Sequence, residues 1–506
     1  MEKKRIAIVG SGITGLGALY ALRNTPHEVH LFEAADRLGG HTNTVQFAYK
    51  DRKTPVDTGF IVLNTATYPN FIAFLKELNV EIVETAMTFG VSRDEGAFEW
   101  AGTSLGAVFA QQENLFNPSH WRMIFDIIRF NQFALDLLKD DAHVDLDLSI
   151  GEYLDREGYS ASFRDDYLIP MTACVWSTGA DKCALEFPAL TLIRFLWNHH
   201  LLSTISERPP WLTVKNGSRT YINAVMRDFP SEQVHLSSPV KNVANEDDKV
   251  VLELKSGHKE LFDDVILACH GNQARDIISA SATAEEKEIM GAFHTTPNTV
   301  FLHSDLSLMP RREIAWSSWN YLTTSSQQLS KSRPSNPRAP NATPSGALNS
   351  VSLTYNMNIL QHIPVSEFGH VLVTMNPPHM PKPELTQAAI QYAHPLYTAA
   401  AVKSQELLPK IQGKRGIWYA GAWAGYGFHE DGFTSGINVA CEGLGGNVPW
   451  KRVETKFIRG KMPQFTMKDY IVRVIIALGM ILIRLYGTAL SLAGLGESRT
   501  VQKKVA

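Results

Sequence analysis

The sequence predicts an α/β chain: a Rossmann-like nucleotide-binding domain interleaved with an α+β second domain, then a C-terminal apolar helix. Three observations carry this. Arg5-Ile6-Ala7-Ile8-Val9 runs into Gly10-Ser11-Gly12-Ile13-Thr14-Gly15, and Leu16 to Leu22 continues as a helix former. Glu33 ends a second apolar run, Val29-His30-Leu31-Phe32, 18 residues after Gly15. A further strand-like run stands far downstream, at 264–269.

Strand, glycine turn, helix, strand and acid is the order a dinucleotide fold needs. Gly10 permits the tight turn, Gly12 lets backbone approach a pyrophosphate, and Gly15 lets helix and strand pack closely. The helix N-terminus offers free N–H groups and a positive dipole end to phosphate. Glu33 stands near the position of an acid that holds a ribose hydroxyl. Residues 67–207 read as helical and amphipathic, with helical apolar spacing at Trp121–Phe130 and Ala189–Leu202. Val234 to Leu254 alternates like paired strands, and Asp264 to Cys269 reads as a buried strand. The nucleotide-binding domain is expected from residues 1–66, 208–280 and 412–448. The second domain, on the substrate side, is expected from 67–207 and 281–411, and the tail from 449–506. Ser325 to Ala347, rich in Ser, Pro, Asn and Arg, reads as a disordered surface loop, with a lid as the alternative.

Glu33-Ala34-Ala35-Asp36-Arg37-Leu38-Gly39-Gly40-His41-Thr42 resembles the second fingerprint of the flavin-containing amine oxidase superfamily. Val56-Asp57-Thr58-Gly59-Phe60 resembles its Asp-x-Gly element. Gly416 to Trp423 resembles its last strand, and Glu430-Asp431-Gly432-Phe433-Thr434-Ser435-Gly436 the helix start beneath the flavin ring. The resemblance implies bound FAD. Its contacts fall on Gly10, Gly12, Ile13, Thr14, Gly15, Glu33, Ala34 and Arg37. They continue through Gly39, Gly40, His41, Thr42, Thr58, Gly59, Phe60 and Val240, and end with Gly421, Ala422, Asp431, Gly432, Phe433 and Thr434. Two positions depart from the family. His41 replaces an Arg, and a neutral imidazole cannot hold phosphate bidentately. Ala422 replaces an acid. The family's Lys near the flavin has no counterpart in Phe293–His303, and Cys441 does not match the covalent-flavin Cys of monoamine oxidases. These absences argue against a plain amine oxidase.

Composition fits a folded enzyme of two or more domains: 506 residues, 44% hydrophobic and 20% charged. A net charge of −3 gives no reason to expect nucleic acid. Cys174, Cys183, Cys269 and Cys441 form no CxxC pair and read as reduced, packed thiols. No signal peptide is expected, because Met1 to Arg5 leads straight into a strand. The bulk of the chain is expected on the reducing, cytoplasmic side.

The tail Met467–Leu495 is apolar, interrupted between Tyr470 and Tyr486 only by Arg473 and Arg484. Lys451 to Lys468 carries six Lys/Arg and one Glu. A basic collar before an apolar helix suits an anionic membrane surface. An in-plane helix is expected, because an Arg in mid-bilayer costs roughly 2.5 kcal/mol or more. A true span and a core or dimer helix are the alternatives.

Candidate catalytic residues are His429, Glu430, Tyr426 and Trp423. His429 reads as an acid/base or as a structural partner of Glu430. Trp423 and Tyr426 read as a pocket wall or as interhelical packing. His199-His200 reads as a helix face, since no third ligand has metal-site spacing. Trp316, Trp319 and Tyr321 read as interior residues of the second domain. Several stretches, including Arg208-Pro209-Pro210-Trp211 and Trp316–Tyr321, resemble an amine-oxidase-like NAD/FAD-binding branch often encoded beside cyclopropane-fatty-acyl-phospholipid synthases. That implies a lipid or fatty-acyl substrate met at a membrane. An amine oxidase, and a flavin-bearing scaffold for a lipid-modifying partner, are the alternatives.

Overall fold

A computed structural model of the chain describes residues 2–139, 147–176, 183–202, 208–323 and 352–492. The loop 325–347 and the end of the tail beyond 492 lie outside the described residues.

The strand Arg5–Val9 is the centre of a five-stranded parallel sheet. Glu28–Phe32 pairs on one side and Asp264–Leu267 on the other. Val234–His235 and Ile417–Tyr419 form the edges. Both faces of such a sheet are covered, so its central strands are apolar along most of their length. Ile6, Ala7, Ile8, Val265, Ile266 and Leu267 are fully buried. The helices Ile13–Leu22 and His429–Gly443 pack together over one face. Their close contact needs small residues: a Cβ at Gly436 would collide with the Thr14 carbonyl, and one at Gly17 would meet Phe433 at 2.9 Å. A three-stranded antiparallel sheet, Val240–Glu246, Lys249–Leu254 and Lys259–Phe262, flanks this unit.

A seven-stranded mixed sheet forms the second layer. Thr386–Leu396 and His294–His303 pair over ten positions, and Leu372–Met375, Ser352–Asn356 and Trp319–Thr323 follow. Phe89–Arg93 and Phe98–Ala101 complete it. These last two, with Ile82–Thr85, correct the reading of 67–207 as helical. Asp94, Glu95 and Gly96 turn with positive φ and join Phe89–Arg93 to Phe98–Ala101 as a hairpin. Period-two alternation over four or five residues is too short to stand out beside a 16-residue helix. Helices Pro118–Phe133, Ile150–Glu157 and Ala189–Asn198 cover the rest of this region around Phe130, Phe163, Leu192 and Phe195.

The tail forms one helix, Met467–Leu492. Among the described residues no helix is long and apolar enough to cross a membrane. Arg473 and Arg484, eleven residues apart, have different surroundings. Arg473 reaches Asp136 at 2.9 Å and the Gln132 carbonyl, whereas Arg484 is exposed.

Candidate active site

One cavity of about 640 Å³ runs from the first glycine turn into the space beside the seven-stranded sheet. Its first part is built where the parallel strands end. Gly10 has φ +103°, and a Cβ there would lie 2.8 Å from the Ala268 carbonyl. Gly12, Ile13, Thr14, Glu33, Ala34 and Val240 line this part with Gly10. Glu33 accepts from the Ser11 amide at 2.9 Å and from the Ala35 amide at 2.9 Å. Ser238 donates its amide to the Glu33 carbonyl, which brings Val240 alongside.

The middle is lined by Gly39, Gly40, His41, Gly59, Phe60, Gly421, Ala422, Trp423 and His429. Here the second fingerprint crosses the first: the Gly39 amide donates to Ser11, and a Cβ on Gly40 would lie 3.3 Å from Gly12 Cα. His41 sits among other rings, 4.9 Å from Tyr392, 5.1 Å from His394 and 5.5 Å from His270. Burial holds its imidazole well below the usual histidine range, helped by His394 and His270. His41 Nε2 is shielded from solvent and has no partner among the described residues.

His429 opens the helix His429–Gly443 and stacks on Phe60. Its Nε2 bonds the Tyr221 hydroxyl at 3.0 Å, and that hydroxyl in turn bonds Thr42 Oγ1. Burial pushes the His429 imidazole down to about 3. Trp423 is buried, donates Nε1 to the Cys269 carbonyl at 3.0 Å and packs on Phe293.

The last part is walled by Ile61, Val62, Met87, Phe195, Trp211 and Trp319, with Val175, Leu201 and Tyr355 beside them. Among the described residues the carboxylates that line the cavity are Glu33 and Asp276, and both belong to the nucleotide end. The lining lysines, Lys241 and Lys255, stand beside Val240 there.

Other expected residues act one layer behind the wall. A Cβ on Gly15 would collide with the Gly10 carbonyl, so Gly15 sets the helix-to-strand distance. Arg37 donates to the Gly40 carbonyl at 2.9 Å and braces the second fingerprint. Thr58 bonds the Tyr392 hydroxyl at 2.9 Å, and Gly432 packs against Ile13, Thr14 and Ala422. Phe433 is fully buried in the core of the first domain. Asp431 accepts from the Phe428 and Tyr426 amides at 2.9 and 3.1 Å, closing the turn before its own helix.

Glu430 and Tyr426 do not form the cavity wall. The Glu430 carboxylate accepts from the Asn70 amide at 3.0 Å, Asn70 Nδ2 at 2.8 Å and the Phe71 amide at 2.8 Å. It caps the helix Pro69–Glu77, whose first amides lack partners within the helix. Thr434 joins the same cluster through Asn70. Tyr426 packs on Phe195 behind the wall. Asp57, from the Asp-x-Gly element, holds the Ser218 amide and hydroxyl and so anchors the turn at 216–218. Of the three aromatic residues at 316–321, Trp319 lines the cavity, Tyr321 is buried in the sheet core, and Trp316 donates to the Pro310 carbonyl.

Tyr221, His270, His394 and Met87 were not legible as site residues. Tyr221 follows the turn at Asn216-Gly217-Ser218, but its partners are 179 and 208 residues away. The others come from separate elements with no shared motif.

The Flavin containing amine oxidoreductase family matches residues 13–443. A putrescine oxidase variant has the same fold, with a TM-score of 0.60 at 16% identity over 87% of this chain and 98% of that one. The fatty acid isomerase of P. acnes aligns with a TM-score of 0.54 at 14% identity, over 87% and 99%. Cyclohexylamine oxidase from Brevibacterium oxydans aligns at 0.58 and 13%, over 87% and 98%. Curated relatives match only locally. The L-amino acid oxidase of Cerastes cerastes is 54% identical over 41 residues, 8% of each chain. That of Bungarus fasciatus is 46% identical over 50 residues, 10% of this chain and 9% of its own length.

Proposed function

The chain belongs to the flavin-containing amine oxidoreductase family, and from that premise we propose that it is an FAD-dependent oxidoreductase acting on a lipid or fatty-acyl chain. Members of the family bind FAD, and the residues present fit it. Gly12 faces open space where any side chain would fill the cradle, and His41 Nε2 is a buried ring nitrogen awaiting a partner. Gly10 to Thr14, Glu33 and Val240 would hold the nucleotide end, and Gly39 to His41, Gly421 and Ala422 the remainder. When bound, FAD supplies the hydride acceptor.

The chain's own groups do the positioning. The N-terminal amides of His429–Gly443 direct a positive dipole end toward the cavity, which favours negative charge there. Thr42, Tyr221 and Phe60 fix the His429 ring in one orientation. The apolar wall excludes water from the reacting chain.

The observation that carries the substrate class is that wall: Ile61, Val62, Met87, Phe195, Trp211 and Trp319, with the carboxylates and lysines of the described lining, Glu33, Asp276, Lys241 and Lys255, at the nucleotide end. An ammonium entering there would find no counter-charge, and an unpaired buried charge is costly. An acyl chain gains from the same burial, roughly 0.8 kcal/mol per CH₂. The shared fold of the fatty acid isomerase supports this reading. Desaturation, double-bond isomerisation and oxidation of the chain are the reactions such a site serves. An amine substrate is the second reading, favoured by the shared fold of putrescine and cyclohexylamine oxidases.

The test is an anaerobic visible spectrum of the flavin-loaded protein, before and after adding phospholipids or an amine panel. Bleaching by lipid is expected. Bleaching by an amine alone overturns the reading. No bleaching, with lipid double bonds unmoved, favours a scaffold role.

A further inference from the structure

The tail helix packs the wrong way round for a globular protein. Its apolar residues face out: Ile471, Val474, Ile475, Leu478, Leu482 and Leu485 are each more than half exposed, with Leu482 at 67%. They recur at i, i+3, i+4 and i+7, a continuous stripe along one side. The inward side carries Arg473, Ile476 and Gly479, which meet Asp136, the body and Phe125. Contiguous exposed apolar surface of this kind marks an interaction site.

We propose that this stripe docks the protein on an anionic lipid bilayer, with the helix lying in the plane of the interface. Charge selects the occupant. The helix Met467–Leu492 has one acidic residue, Asp469, which is committed to the N-terminal cap, accepting from the Thr466 amide and hydroxyl at 2.7 Å. Lys461 and Lys468 are exposed at its start and Arg484 near its end. A second copy would offer the flanking cations Lys461 and Lys468 no acidic partner from the stripe, whereas anionic headgroups neutralise them. Arg484, eleven residues from Arg473, stands off the stripe, and its long stem lets the guanidinium reach headgroups beside an in-plane helix. The stripe is extended by the neighbouring helix Pro118–Phe133. The tail runs antiparallel to it, since Arg473 meets Gln132 and Gly479 meets Phe125. That register sets the exposed Trp121, and Leu115 and Phe116 before it, toward the end that carries Leu482 and Leu485.

The docked surface is tied to the apolar chamber. Asn198 Nδ2 donates to the Lys456 carbonyl at 2.9 Å, Arg459 to the Trp197 carbonyl at 2.5 Å, and Arg194 to the Lys461 carbonyl. These bonds fasten the basic collar to the helix Ala189–Asn198, whose Phe195 lines the chamber. The collar that leads into the tail is therefore bonded to a helix of the chamber wall.

The experiment is flotation of the full-chain, flavin-loaded protein with vesicles. One set is equal parts phosphatidylglycerol and phosphatidylcholine, the other phosphatidylcholine alone. Strong flotation with the first, weaker with the second and reduced by salt, is expected. Ile475→Asp with Leu482→Asp should lower it at least about tenfold while flavin absorbance is retained. Lys461→Glu with Lys468→Glu, both at exposed positions, should lower anionic-vesicle binding several-fold and leaves the apolar stripe intact; it decides the matter if the first variant fails to fold. No flotation of the native protein, or flotation indifferent to headgroup charge or to both variants, overturns the proposal. So does a vesicle-free dimer that the aspartate variant converts to monomer. Vesicle binding is read without turnover, so it stands or falls separately from the acyl-chain reading.

Discussion

The imidazole of His429 lies flat against the ring of Phe60, with centroids 3.7 Å apart and planes 9° apart. The contact holds a polar ring in an apolar wall, and the Tyr221 hydroxyl satisfies its Nε2. Tyr221→Phe leaves both His429 and Thr42 short of a partner. Destabilisation of about 1–3 kcal/mol is expected in urea unfolding of the holoprotein. An unchanged midpoint would deny the link its structural role.

Burial pushes the His429 pKa from 6.5 down to about 3, so the folded protein keeps the ring neutral. The unfolded chain binds the proton first as pH falls below 6.5. This contribution to stability is whole above that pH and is lost toward about 3. His429→Asn should flatten the acid limb of the stability profile, at most by ~1.4 kcal/mol per pH unit for one proton. Thermal melts of both proteins across that window provide the check.

Glu430 titrates with the opposite sign. Burial pushes its carboxyl from 4.5 up to about 7, against the pull of three N–H donors from Asn70 and Phe71. The folded state therefore holds this proton longer than the unfolded chain. The contribution is whole below 4.5 and is lost as pH rises through about 7. Glu430→Gln should remove that alkaline decline and leave flavin reduction unchanged within about threefold, as expected of a helix cap. A loss of reduction of a hundredfold or more with the melt unchanged would return Glu430 to the chemistry.

Two glycines separate folding from cofactor retention. A Cβ on Gly15 strikes the Gly10 carbonyl, whereas one on Gly12 meets nothing within 4 Å. Gly15→Ala should fail to yield folded protein. Gly12→Ala should fold, with a native circular dichroism spectrum, and lose FAD affinity at least about tenfold because its methyl fills the cradle. Retained flavin in Gly12→Ala would mean that the cofactor does not approach this turn.

His41 stands where the resemblance of the second fingerprint leads one to expect an Arg. The residue lines the cavity, and its buried Nε2 has no partner among the described residues. His41→Ala should weaken FAD binding by about 1–3 kcal/mol, the cost of one lost buried hydrogen bond. Fluorescence titration of the apoprotein with FAD measures it. Unchanged affinity would leave His41 a packing residue among Tyr392, His270 and His394.

Met87 lies in the apolar part of the cavity wall. Met87→Glu places a carboxylate there, so lipid-driven bleaching should fall at least about a hundredfold while bound flavin is retained. Faster bleaching by amines in the same variant is the reciprocal expectation. Equal lipid bleaching in both proteins would place the substrate elsewhere.

The first βαβ unit was legible because its signals are local. Gly10, Gly12, Gly15 and Glu33 follow one another within 24 residues, and each type answers a steric or hydrogen-bonding need of the turn. Glu430 misled for the same reason. Its motif position suggested the flavin ring, but Asn70 and Phe71, some 360 residues upstream, claim the carboxylate. The strands at 82–101 were hidden because their alternation is brief and two of them pair far away, Ile82–Thr85 with Trp211–Val214 and Phe89–Arg93 with Trp319–Thr323.

By itself the sequence determined the dinucleotide turn, the two fingerprints, the flavin and the apolar character of the tail, because each is a property of neighbouring residues. Tertiary structure decided which of those residues reach the cavity. It set His41 among His270, His394 and Tyr392, set His429 against Phe60, and turned Glu430 into a helix cap. It also decided that the apolar stripe of the tail faces outward, since helix period shows that a stripe exists but not which side the body covers. Side-chain direction depends on partners hundreds of residues away, and no local pattern encodes them.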